Sequence, residues 1–170
     1  YHSDCLHLPA SRTRTENCTM RFKTVKDLLD QAAALHEGLA GYYQRLAGES
    51  RREKVKLLLD YLSRHEGSLA KELARYNAEA SRGVLDAWLN HELDGEFLKC
   101  VPPAKPAADL DVDELIDLAI QLDDCIIDLY QLVAMQCQLP EAREAFVNLV
   151  AQEREEKKRM VRQAMRLNDM

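Results

Sequence analysis

Four stretches of the chain place apolar residues three and four positions apart, the spacing of helices that bury one stripe. Leu28, Ala32, Leu35, Leu39, Tyr43 and Leu46 trace the first stripe, and Val55, Leu58, Leu62, Leu69, Leu73 and Tyr76 the second. Leu115, Leu118, Leu122, Ile126, Tyr130 and Val133 form the third, and Phe146, Leu149, Val150, Met160, Ala164 and Leu167 the fourth. The pattern predicts helices over 23–47, 51–80, 111–137 and 140–167. Gly48-Glu49-Ser50 separates the first two, with Ser50 expected to cap the second; Asp111 suits the cap of the third, and Pro140 the first turn of the fourth. Residues 81–110 differ in kind. Gly83, Gly95, Pro102, Pro103 and Pro106 punctuate them, and a short helix near 84–92 is expected to carry the sole tryptophan, Trp88.

Sliding the chain along itself by 87 residues aligns 25–80 with 112–167 without a gap. Twelve identities over 56 positions result, among them Val25 with Val112, Leu28 with Leu115, Tyr43 with Tyr130, Leu62 with Leu149 and Glu66 with Glu153. One offset serves both helices of each half and the loop between them, so the chain reads as a duplicated helical hairpin. A hairpin alone leaves its apolar stripe in water, and two packed face to face bury both. The short loops near 48–50 and 137–140 make each hairpin antiparallel, and the long connection can run the length of the assembly. The expected fold is all-α: a four-helix bundle over 20–170, with hairpin 23–80, one long crossover 81–110 and hairpin 111–167.

Composition narrows the picture. Hydrophobic residues make up 46% and charged residues 31%, which suits amphipathic helices. A net charge of −6 gives no electrostatic reason to expect nucleic acid as a partner. No apolar run approaches the roughly 20 residues that span a bilayer, so no membrane partner is expected. Residues 1–19 lack periodicity and are read as a disordered or externally added tail, with the native chain starting at Met20. Cys5, Cys18, Cys100, Cys125 and Cys137 are odd in number and form no C-x-x-C pair, which points to reduced cysteines in a cytoplasmic protein. Cys125 and Cys137 read as small buried apolar residues.

One polar residue interrupts each apolar stripe: His36, Glu66, Asp123 and Glu153, with Glu156 one turn beyond Glu153. His36 aligns with Asp123 in the repeat, and Glu66 with Glu153. The third helix reads Leu118-Ala119-Ile120-Gln121-Leu122-Asp123, then Asp124-Cys125-Ile126-Ile127-Asp128-Leu129-Tyr130. In this it resembles the L-A-I-x-x-E segment, followed by its aromatic pair, of the rubrerythrin-like branch of the ferritin-like superfamily. Asp123 stands where that family has a metal-binding Glu, and His36 takes the same place on the first helix ahead of Tyr42-Tyr43. The second and fourth helices resemble the family's E-x-x-H helices, with Glu66 and Glu153 at the Glu positions but Leu69 and Glu156 at the His positions. No C-terminal C-x-x-C pairs follow, so the rubredoxin-like module is absent from the pattern.

The resemblance implies iron or manganese held between the helices, with Glu66 and Glu153 bridging and His36, Asp123 and Glu156 as terminal ligands. Tyr43 and Tyr130 would hydrogen-bond nearby. The residues also admit plainer readings: His36 as a hydrogen-bonded core residue, Glu156 as a solvated member of the charged run 153–159, Tyr43 and Tyr130 as core aromatics. Glu37 and Asp124 form a rival pair at the stripe's edge, and His65 and His91 lack partners at ligand spacing. Facing carboxylates in a core demand compensation by a metal, a protonated His36 or water. Two functions follow: a metal-binding bundle that handles iron or peroxide, or a metal-free helical interaction module. A homodimer is the expected assembly, with Trp88, Leu89 and Phe97 of the crossover as a partner surface.

Overall fold

A computed structural model describes residues 24–89, 99–100 and 110–169. Helix α1, Val25–Glu49, starts at a capping box: the Asp27 N–H donates to the Thr24 hydroxyl at 3.3 Å, and the Thr24 N–H to the Asp27 carboxylate at 3.1 Å. α2, Glu53–Glu79, runs back along α1. A short α3, Arg82–Leu85, opens the crossover from a Ser81 cap. α4, Val112–Gln136, repeats the capping box with Asp111 and Glu114 at 2.8 and 3.0 Å. α5, Pro140–Asn168, begins with Pro140 in its first turn, where a missing N–H costs nothing. α1 and α4 are each 25 residues long, and both their ends and their capping boxes are offset by 87 residues. The first residues of α2 and α5, Glu53 and Pro140, keep the same offset.

The four long helices lie within two residues of the expected ends, and the architecture is the all-α bundle with one crossover. No strand occurs among the described residues beyond an isolated bridge of Thr24 with Trp88. One cap differs from expectation. Ser50 closes α1, its N–H donating to the Leu46 carbonyl at 2.9 Å, and α2 starts from Arg52 with no side-chain cap. Arg51 and Arg52 separate Ser50 from the first helical residue, so its hydroxyl accepts from the Arg52 N–H instead, at 3.3 Å.

The stripes close on one core. Leu28, Leu29, Leu39, Leu58, Leu59, Leu115, Ile126, Phe146 and Met160 are fully buried, each such side chain stabilising the fold by about 1.5–3 kcal/mol. The start of the crossover lies against α1, where the Val25 N–H donates to the Ala87 carbonyl at 2.9 Å. That contact leaves Trp88 67% exposed and Leu89 buried. The tail 1–19, His91 and Phe97 lie outside the described residues.

The cysteines correct the sequence reading. Cys100 and Cys125 form a disulfide, with their Cα atoms 5.5 Å apart. Cys125 is therefore not a free apolar core residue, and for this pair the argument for reduced thiols does not hold. The cause is tertiary: the crossover returns Cys100 to the side of α4, which spacing along the chain does not reveal. Cys137 is free and buried, as expected. Cys125→Ser should lower the unfolding free energy by about 2–4 kcal/mol, read from denaturant unfolding with the slope fitted for each variant. Equal midpoints with and without a reductant would show that the cross-link is not formed in solution.

Candidate functional site

Each long helix sends one ionisable side chain into the middle of the core, because each apolar stripe is interrupted once at mid-length. His36 on α1 is 1% exposed, Glu66 on α2 2%, Asp123 on α4 7% and Glu153 on α5 4%. His36 organises them. Its Nδ1 lies 2.7 Å from Oε2 of Glu66, and its Nε2 lies 3.2 Å from the Tyr130 hydroxyl and 3.4 Å from Oε1 of Glu153. With the ring neutral, Nδ1–H donates to Glu66 and Nε2 accepts from Tyr130. With the ring protonated, Nε2–H turns toward the oxygens of Tyr130 and Glu153.

Burial governs the charges here. It pushes the Glu66 carboxyl up to about 7, with only His65 acting against it. It pushes Asp123 to about 8, reinforced by the Glu66 charge, and Glu153 to about 8, against the pull of His36. The same burial lowers the His36 pKa, which the Glu153 charge partly offsets. Three acids therefore share one base in a region that disfavours every charge. Lys157 acts on Asp123 but is paired with Asp124.

The remaining candidates separate. Glu156 is half-buried, with Oε1 2.5 Å from Arg159 and Oε2 3.7 Å from His65, and its charge adds to the upward shift of Glu153. Glu37 and Asp124 are exposed. Tyr130 bonds His36. The Tyr43 hydroxyl is buried under the charges of Glu66 and Asp123 and has no hydrogen-bond partner among the described residues. Sequence reasoning missed the partner of His65, which joins Glu156 and stacks on Tyr61 at 6.3 Å between ring centres. A Tyr four residues before a His was the signal for the stacking; nothing in the chain pointed to Glu156.

In kind, the donors suit a first-row transition ion: one imidazole, three carboxylates and an orphaned hydroxyl, all buried. As the side chains stand, no three His, Cys, Asp or Glu among the described residues are grouped to hold an ion. The two ring nitrogens of His36 are turned to different carboxylates, Nδ1 to Glu66 and Nε2 to Glu153.

No protein-family model matches the chain, and no curated protein matches it. Among solved structures it is similar to a proposed ferritin-like diiron-carboxylate protein from Thermotoga maritima, with a TM-score of 0.57 and 18% identity, over 85% of this chain and 96% of that one. At that identity the likeness is one of fold, and the helices have the ferritin-like arrangement.

The raised carboxyl pKa values set a pH dependence. A buried acid whose folded pKa is raised contributes stability that is complete below its unfolded pKa, near 4, and is lost as pH rises through the folded value of about 7 to 8. His36, its pKa lowered from 6.5, is neutral in both states above that pH and leaves this limb unaffected. In chelator, the melting temperature should fall between pH 6.5 and about 8 and level off above, and Glu66→Gln should reduce the fall. A flat profile in the wild type would mean that a fixed positive charge compensates the acids.

Proposed function

We propose that the chain is a metal-binding bundle whose centre takes a first-row ion, iron or manganese, among Glu66, Glu153, Asp123 and His36. One observation carries the reading: three carboxylates and a single imidazole are almost fully buried together in the middle of an apolar core. Burying carboxylates without a compensating cation is costly, and a divalent ion would replace the protons they otherwise retain. The ferritin-like fold supports the same reading by analogy.

The residues have distinct tasks. Glu66 and Glu153 reach the centre from the neighbouring helices α2 and α5 and would swing their carboxylates from His36 toward a shared ion. Asp123 offers oxygen from a short stem, so it fixes position more than it reaches. Tyr130 holds the His36 ring in orientation through its hydroxyl. The surrounding leucines exclude water, which strengthens each charge interaction at the centre. A bound iron or manganese ion would supply redox chemistry toward peroxide or the storage of iron itself. Glu156, the fifth candidate, is held outward by Arg159 and His65 and would approach only after leaving both.

A second reading has its own support. His36 already bonds Glu66 at 2.7 Å, so the bundle can stand without metal as a helical interaction module. Elemental analysis of protein purified without chelator separates the two. On the metal reading, iron or manganese co-purifies, and added Mn²⁺ raises the melting temperature, stabilising by about 2.7 kcal/mol at a hundredfold excess over Kd. Glu153→Ala should then lose metal content and that stabilisation together, while Glu37→Ala keeps both. Metal-free protein that Mn²⁺ and Fe²⁺ leave unchanged, with a Glu153→Leu variant that melts higher, would establish the module instead.

A further inference from the structure

The 87-residue offset that relates α1 to α4 also relates the two halves of the centre, and the halves are built differently. Under it His36 corresponds to Asp123, Glu66 to Glu153, and Tyr130 to Tyr43. In one half, the imidazole bridges its neighbours: Nδ1 to Glu66 at 2.7 Å and Nε2 to the Tyr130 hydroxyl at 3.2 Å. The corresponding links in the other half would join Asp123 to Glu153 and to Tyr43, and neither is made among the described residues. Asp123 has a shorter side chain than histidine, with less reach toward either neighbour. The Tyr43 hydroxyl, on a side chain 0% exposed, is left without a partner there. A buried hydroxyl in that state calls for a further group beside it.

We propose that the centre is asymmetric and takes one divalent cation, seated among Asp123, Glu153 and Tyr43 with Glu66 reaching across, while the His36 imidazole fills the place a second cation would occupy. The inference rests on the metal-binding reading and goes beyond it in stoichiometry and position. His36 acts here as a built-in substitute for a cation. Both its nitrogens are engaged, so a second ion would have to displace the ring from Glu66 and Tyr130 together. On the other side the ring holds Glu153 only through the longer contact of Oε1 with Nε2, at 3.4 Å. An ion there needs only rotation of side chains, with the backbone in place. The Tyr43 oxygen would then face either the ion or a water bound to it.

Manganese(II) is the probe, titrated into chelator-stripped full-length protein and followed by calorimetry, elemental analysis and the ion's electron paramagnetic resonance. Wild type should take one ion per chain. His36→Asp makes the two halves alike and should take two. That variant buries a fourth acid and can fail to fold without metal, so His36→Gln serves beside it and should still take one. Asp123→Asn should weaken binding at least tenfold, with circular dichroism unchanged. Two ions bound to wild type would overturn the asymmetry and leave the metal-binding function standing. One ion lost in His36→Gln but kept in Asp123→Asn would also overturn it, by moving the ion to the histidine's half. No ion bound by wild type would remove the function together with this inference.

Discussion

An imidazole between carboxylates holds the middle of this bundle together, because His36 is, among the described residues, the one base inside a core that also buries Glu66, Asp123 and Glu153. Its 2.7 Å contact with Glu66 ties α1 to α2, and its contacts with Tyr130 and Glu153 tie α1 to α4 and α5. Around it the apolar stripes pack with little directional preference, and the other polar contacts between helices, Ser63 to the Ala40 carbonyl, Asn77 with Asp30, Gln152 with Glu72 and Lys157 with Asp124, lie nearer the surface. The polar contacts fix rotation and register, since a helix turned by one residue would carry its acid away from the ring. The central network therefore specifies the arrangement, while the apolar stripes supply most of the stability.

The duplicated hairpin explains why the centre lies where it does. Matching caps at Thr24 and Asp111 start α1 and α4 at equivalent points, and their polar interruptions fall eleven residues into each helix, at His36 and Asp123. Two copies of one hairpin facing each other bring their interruptions to a common level. Divergence between the copies then acts directly on chemistry. A histidine in one copy reaches both neighbours, while the aspartate in the other reaches neither, so a change of one residue type leaves the tyrosine across from it unpartnered.

The helices were legible because amphipathic spacing persists over six or more turns in each, and a buried face allows little slippage. The inward residues were legible for the same reason: a polar side chain on an unbroken apolar stripe has nowhere else to go. Hydrogen-bond partners were not. Glu153 and Glu156 are neighbours on one helix face, and only the positions of Arg159 and His65, set by packing, turn the second outward. The Ser50 cap was misread because residue type was weighed without the two arginines that follow it. The disulfide was hidden because Cys100 lies in a crossover without periodicity, so its position depends on tertiary contacts alone.

That disulfide bears on the centre in a way the helix geometry makes explicit. Cys125 follows Asp123 by two residues, which places it about 200° around α4. Asp123 faces inward, and the link to Cys100 grips the opposite side. An acid buried at a cost favours rotation of its helix toward water, and a helix packed only by leucines could yield. Anchored on its outer face to the crossover, and on its inner face through Tyr130 to His36, α4 is restrained from both sides. The burial of Asp123 is thus sustained by contacts that are not its own, and relief is left to what can come to the carboxylate: a proton or a cation.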